Sequence, residues 1–245
     1  MTPPRLKLVT FDLDDTLWES TPVLIEAEAA MQRALQQQLP ALGDTLRSGI
    51  LRQQRALLLA AEPALIHRVS ELRRRVIATT LRDLGLDAER AQQITEAAFE
   101  QFLQARHQVR YHADALEMLE LLARRYRLGA LTNGNADIRR LGLDRYFDFG
   151  FSAEMLGVGK PDPALFRAAL DAIRCSPAQM VHVGDHPQHD IDGAQRLGIH
   201  TIWVNHTASD WPGGTPPSAT IHHLGELPAA LARLESITPA GDAQR

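Results

Sequence analysis

Two hydrophobic rhythms run along this chain. Short unbroken apolar runs rich in β-forming residues mark buried strands, and apolar residues spaced three or four apart mark helices. Leu6 to Phe11 is a run of the first kind and ends on acidic residues, so it predicts a buried strand that delivers Asp12 at its C-terminal end. From Ser20 the spacing turns helical. Pro22 suits a first turn capped by Ser20 or Thr21, and Val23, Ala27, Ala30 and Ala34 share a face. Asp44 is placed to cap a second helix through Leu46, Ile50, Leu51 and Leu57. Pro63 opens a third, carrying Leu65, Val69, Leu72, Val76 and Leu84, which Gly85 terminates. A fourth carries Ala91, Ile94, Ala98 and Phe102. Four helices without an intervening strand predict a helical bundle inserted after the first strand.

Beyond residue 110, strand and helix patterns alternate. Strands are expected at Leu128–Thr132, Phe149–Ala153, Met180–Gly184, Ile199–Val204 and Ala219–His222. Helices are expected at Ala113–Arg125, at Pro163–Ile173, around Ile191, Ala194 and Leu197, and at the end of the chain. The implied fold class is α/β: a Rossmann-like core with a parallel sheet between helices, plus an inserted helical-bundle cap. The expected organisation is a core of 1–18 and 110–235, a cap of 19–109 and a tail of 236–245. In such a sheet, functional groups gather beyond the carboxyl ends of the strands. Asp12, Thr132 and Asp185 all sit at such ends.

Composition narrows the class. A net charge of -4 argues against a nucleic-acid partner. No apolar run approaches the ~20 residues of a membrane span, and the lone Cys175 excludes an intrachain disulfide. The expectation is a soluble cytoplasmic protein, a monomer or weak homo-oligomer, acting on a small molecule. Residues 19–110 carry 12 arginines against 11 acids, and the remainder carries 14 basic residues against 19 acidic. An acidic metal-binding core facing an arginine-bearing cap suits an anionic substrate, although most such arginines serve as solvated helix surface. Lys7 and Lys160 are the only lysines, so chemistry that needs an ammonium has few sources.

An Asp-x-Asp-x-Thr string at a strand end is common. Its partners, arriving later in order, give it meaning. A carboxylate that attacks a phosphate ester must overcome repulsion between two anions, which calls for a divalent cation and a basic side chain. Asp185 and Asp190 supply further carboxylates, Lys160 a cation, and Thr132 with the backbone N–H groups around Asn133-Gly134 can hold phosphate oxygens. Gly157-Val158-Gly159-Lys160 is not a nucleotide-binding P-loop, because Glu154 replaces its first glycine and Pro161 its Ser/Thr.

In this order the motifs Asp12-Leu13-Asp14-Asp15-Thr16, Thr132-Asn133, Lys160 in Gly159-Lys160-Pro161-Asp162-Pro163, and Gly184-Asp185 with Asp190 resemble the haloacid dehalogenase superfamily. The insertion lies where that superfamily places its helical cap. The resemblance implies that Asp12 forms an aspartyl-phosphate, that Asp14 is the acid and base, and that Thr132 and Lys160 hold the phosphoryl group. Phosphate binding would fall to Asp12, Thr132, Asn133 and Lys160. Mg2+ would be held by the Asp12 side chain, the Asp14 carbonyl and Asp185, with Asp190 in support. Thr16 would orient the loop. The resemblance also implies that Asp14 separates phosphatases from dehalogenases, which lack the second aspartate, and that the lysine-free cap excludes the imine-forming phosphonate hydrolases.

Three further stretches, Trp18–Val23, Ala61–His67 and Leu131–Asn135, resemble bacterial riboflavin-pathway phosphatases. These act on 5-amino-6-(5-phospho-D-ribitylamino)uracil and on flavin mononucleotide (FMN). Other sugar-phosphate phosphatases, a phosphomutase and a non-catalytic binding protein are the alternatives. Candidates for substrate contact are Trp18, His67, Arg68 and the run Arg73-Arg74-Arg75. Trp18 suits either stacking on a flavin or pyrimidine, or packing beneath the cap. The arginine run is better suited to solvated surface. His182, His186 and His189 flank Asp185, and hydrogen bonding is favoured for them over zinc ligation.

Overall fold

The computed structural model describes residues 6–47 and 49–237, in two compact units. One comprises 6–19, 110–133 and 137–237 among these residues, and the other 20–47, 49–109 and 134–136. The first is built on a sheet of six strands: β1 (Leu8–Phe11), β2 (Arg127–Thr132), β3 (Phe149–Ser152), β4 (Met180–Gly184), β5 (His200–Val204) and β6 (Ala219–Ile221). Their order is β3-β2-β1-β4-β5-β6 and every pairing is parallel. All of β1 and β4 is buried, which explains their nearly continuous apolar sequence. Phe11 pairs with Ala130 on one side and Val183 on the other, so β1 and β4 end level. The connections leave β1 and β4 in opposite directions along the sheet. The ends of these two strands therefore open a crevice, the usual place for a ligand in an open α/β sheet.

The second unit is a helical cap of Ser20–Gln38, Gly43–Arg47, Ile50–Ala61, Val69–Asp83 and Ala88–Arg106. Its core brings Ala27, Met31 and Leu35 together with Leu72, Val76, Ile77, Ile94, Ala98 and Phe102. Gly85 adopts φ +94 after Val69–Asp83, a left-handed conformation that costs glycine little, and ends that helix. Asp87 caps the next by accepting from the Arg90 N–H at 2.9 Å.

Several local expectations are corrected. The first helix buries Val23, Ala27, Met31 and Leu35. This strict four-residue spacing leaves Ala30 and Ala34 half-buried and Leu24 and Ile25 exposed. Asp44 lies within a short helix instead of capping a long one, and Gly49 at φ +93 separates that turn from Ile50–Ala61. Pro63 does not open the long helix. Glu62 before it is held out of the helical region, Pro63–His67 forms a 3-10 turn, and the helix starts at Val69. The segment around Ile191 winds as a π-helical turn, Pro187–Asp192, before a short α-helix, Gly193–Gln195. The last helix, Leu227–Ile237, takes in Ser236 and Ile237, and residues 238–245 of the expected tail lie outside the described residues.

Candidate active site at the strand ends

Asp12 leaves β1 with its backbone N–H donating to the Val183 carbonyl at 2.8 Å, so the ladder continues one residue past the strand. Thr132 closes β2 and is buried, and Asp185 follows β4. Lys160 enters from the segment after β3 and is 4% exposed. An ammonium has three N–H donors, and here three acceptors meet them. They are Asp12 Oδ1 at 2.5 Å, Asp190 Oδ1 at 2.6 Å and the Leu131 carbonyl at 2.7 Å. The Lys160 backbone is clamped as well: its N–H donates to Asn133 Oδ1 at 2.7 Å, and Asn133 Nδ2 donates to its carbonyl at 2.9 Å. A Cβ at Gly159 would lie 2.7 Å from that Asn133 oxygen, so the clamp needs a glycine there.

Asp190 is the hub on the other side. Its Oδ1 also meets His182 Nε2 at 3.2 Å, and its Oδ2 accepts from the His186 N–H at 2.9 Å. The π-turn brings the carboxyl so close to Gly184 that a Cβ there would lie 2.3 Å from Asp190 Cγ. Thr10 and His182 are register partners on β1 and β4, with Thr10 Oγ1 2.9 Å from His182 Nδ1. Burial lowers the His182 pKa, so the imidazole is neutral. Its Nε2 must then donate to the carboxylate, and Nδ1 accepts from the Thr10 hydroxyl. On Asp185, Oδ1 accepts from Thr16 Oγ1 at 3.2 Å and the backbone carbonyl accepts from Trp203 Nε1 at 2.7 Å.

The charges are in tension. Burial, with the Asp190 and Asp185 carboxylates adding to it, holds Asp12 well above the usual carboxylate range despite the pull of Lys160. Burial, with Asp190 and Asp15, pushes Asp185 up to about 7. Burial works against the Lys160 charge too, yet Asp12 and Asp190 push it up to about 12. Asp190, though buried, is held below its usual range by Lys160 and His182. Asp12, Asp185 and Asp190 each offer a carboxylate oxygen within 4.8 Å of the others. Closely spaced hard oxygens that resist joint ionisation are capable of coordinating a divalent ion such as Mg2+.

That tension predicts a proton linkage. At pH 6.5 Mg2+ binding is expected to release protons, and affinity to weaken as pH falls below about 7, where Asp185 becomes protonated. Calorimetry in buffers of different ionisation enthalpy measures both effects, and an affinity constant from pH 6 to 8 contradicts the linkage. Without metal, the raised Asp185 pKa gives a stability contribution that is full below about pH 3.9. The contribution is lost as pH rises through about 7, because the folded state keeps a proton that the unfolded chain has released.

Several residues expected to contact substrate have partners within the protein. Trp18 is 0% exposed, its Nε1 donates to Asp14 Oδ1 at 3.0 Å, and Tyr111 packs against it edge-on. It therefore presents no face for a flavin or pyrimidine to stack on. Both polar side-chain atoms of Asn133 are engaged by the Lys160 backbone. His67 ends the 3-10 turn, and exposed Arg68 pairs with Glu71 at 3.3 Å. Arg73 pairs with Glu28, Arg74 with Glu96 and Arg75 with Glu62, three directions from three successive residues. His186 Nδ1 accepts from the Gln188 and His189 N–H groups, and its ring stacks on His189 at 3.9 Å. Among the described residues, the carboxylate group placed to hold an ion includes none of the three histidines.

Sequence reasoning missed Thr10 and the Trp203 bond to Asp185. A polar residue inside each of two apolar strands was the available signal for the Thr10–His182 pair.

Residues 6–198 match the family model of the haloacid dehalogenase-like hydrolases. The chain belongs to that family. Its fold is the family's Rossmann-like core with a helical cap, and its motifs are consistent with phosphoric monoester hydrolysis. Among curated relatives, the 5-amino-6-(5-phospho-D-ribitylamino)uracil phosphatase YigB of Escherichia coli (strain K12) is 31% identical over 93% of this chain and 97% of its own. A solved structure described as a 2-haloacid dehalogenase from Pseudomonas syringae pv. Tomato DC3000 is 48% identical. It superposes with a TM-score of 0.90 over 93% of this chain and 99% of its own. A HAD phosphatase from Thermococcus onnurineus, 24% identical with a TM-score of 0.65 over 92% and 98%, shares the fold. Among the described residues, no helix is long and apolar enough to cross a membrane.

Proposed function

We propose that this hydrolase is a magnesium-dependent phosphatase that acts through an aspartyl-phosphate on Asp12. Its favoured substrate is 5-amino-6-(5-phospho-D-ribitylamino)uracil, with FMN as the nearest competitor. The observation that carries this reading is the Lys160 ammonium held between Asp12 and Asp190, with Asp185 adjacent and Asp14 two positions beyond Asp12. A carboxylate can attack an anionic phosphoryl group only where fixed positive charge offsets the repulsion. Asp12 attacks phosphorus as the ester oxygen leaves with a proton from Asp14. Asp14 then takes a proton from the water that attacks the acyl-phosphate, and inorganic phosphate departs with Asp12 restored. Lys160, the Thr132 hydroxyl and the backbone N–H of Asn133 hold the phosphoryl oxygens. The ion would be held by the Asp12 carboxylate, the Asp14 carbonyl and Asp185, with Asp190 supporting, and would supply charge neutralisation.

The resemblance to a 2-haloacid dehalogenase makes a second reading testable. A departing halide needs no proton, so Asp14 would have no acid role there. The phosphatase reading accounts for it. The substrate assignment draws on the relative that matches nearly end to end, cap included. The expected result is a kcat/KM for the ribitylaminouracil phosphate at least ~10-fold above those for FMN, sugar phosphates and nucleotides, about 1.4 kcal/mol of discrimination. No chloride should be released from 2-chloropropionate. A sugar phosphate at the head of the panel removes the substrate assignment, and halide release with no phosphate release removes the phosphatase.

A further inference from the structure

The bond between Trp18 and Asp14 does more than satisfy a buried indole. The backbone forces the pairing: Asp15 sits at φ 60, its N–H donates to the Trp18 carbonyl at 2.8 Å, and the Leu17 N–H donates to the Leu13 carbonyl at 2.9 Å. The chain thus doubles back and sets the indole beside the carboxyl four residues earlier. Tyr111, bridged to Trp18 through the backbone, stands edge-on to the ring at 5.7 Å between centroids and holds its plane.

An aspartate χ2 is broad and nearly two-fold, so an untethered carboxyl presents either oxygen. An indole N–H can only donate. At 3.0 Å from Nε1, Oδ1 must act as an acceptor, and a proton there would oppose the N–H.

We infer that Trp18 is a positioning residue: its indole fixes the plane of the Asp14 carboxyl and assigns the transferable proton to Oδ2. The inference rests on Asp14 being the acid and base of the proposed phosphatase. In the first step the Oδ2 proton passes to the ester oxygen as the P–O bond breaks and the Asp12–phosphorus linkage forms. In the second step the same oxygen takes a proton from the attacking water. Without the indole donor, nothing on the Trp18 side opposes a proton on Oδ1, so fewer encounters present the proton from Oδ2.

The test measures kcat/KM with Mg2+ for p-nitrophenyl phosphate and for an alkyl phosphate such as glycerol phosphate. The proteins are the wild type, Trp18→Phe, Asp14→Asn and the double variant. Trp18→Phe is expected to lose ~10–100-fold on the alkyl phosphate, the size of one charge-assisted hydrogen bond, and under ~3-fold on p-nitrophenyl phosphate, whose leaving group needs little protonation. In the Asp14→Asn background the same change should cost less than ~2-fold on either substrate. Site-specific replacement of Trp18 by 3-benzothienylalanine keeps the ring shape and removes the donor. It should reproduce the alkyl-selective loss, and it decides the matter should the Phe variant fold poorly. Equal losses on both substrates, or losses that multiply with those of Asp14→Asn, reduce Trp18 to packing and overturn the inference while leaving the phosphatase intact. An Asp14→Asn protein with no leaving-group dependence removes the acid role itself, and the inference falls with it.

Discussion

Asp12→Asn is expected to lower phosphatase turnover by about 10⁴-fold or more, because the amide cannot form the acyl-phosphate. The same substitution should leave the metal-free fold at least as stable as the wild type. Asp12 sits buried, facing the charges of Asp190 and Asp185, and holds a raised pKa in consequence. A neutral amide removes one member of that repulsive group, while Lys160 keeps Asp190 and the Leu131 carbonyl as acceptors. The two readouts are a phosphate-release assay with p-nitrophenyl phosphate and thermal unfolding in chelator. Substantial turnover would sink the covalent mechanism. Lost turnover with a broadly collapsed fold would instead mean that Asp12 is needed for assembly.

Lys160→Met reverses that pattern, since activity and stability fall together. Removing the ammonium strands two buried carboxylates against each other, and breaking a buried ion pair from one side typically costs about 3–5 kcal/mol. The Leu131 carbonyl loses its partner as well. The penalty should shrink at lower pH, where Asp12 and Asp190 take up protons and no longer repel. Denaturant unfolding of wild type and variant at pH 5 and pH 8 measures this directly. A difference independent of pH, or a variant as stable as the parent, contradicts the charge-bridge role.

Much of this arrangement was legible in the chain, for local reasons. The strands β1, β4 and β5 are largely apolar runs rich in β-forming residues, and that cue needs no knowledge of the fold. Asp12, Thr132, Lys160, Asp185 and Asp190 stood out through type and order. Other features depended on contacts that no local pattern encodes. Trp18 read equally well as a stacking platform or as packing, because periodicity does not say which way a loop ring turns. Met31 and Leu35 take the buried stripe with Val23 and Ala27, while Ala34 packs at its margin, because several three- and four-residue spacings fit the same apolar positions and only contact with the other helices selects one. The Asn133 clamp joins side-chain atoms to a backbone 27 positions away. The Thr10–His182 pair exists only once β1 and β4 are in register.

That last pair spans 172 positions. β1 is synthesised before the cap helices, yet its neighbours on both sides, β2 and β4, come only after them. Until Gly184 has cleared the exit tunnel, the strand bearing Asp12 has no β4 to lie against, and neither Lys160 nor Asp190 is seated. A chain that ends before β4 holds the acidic loop after β1 without the Asp185 and Asp190 carboxylates that lie near Asp12 in the folded protein.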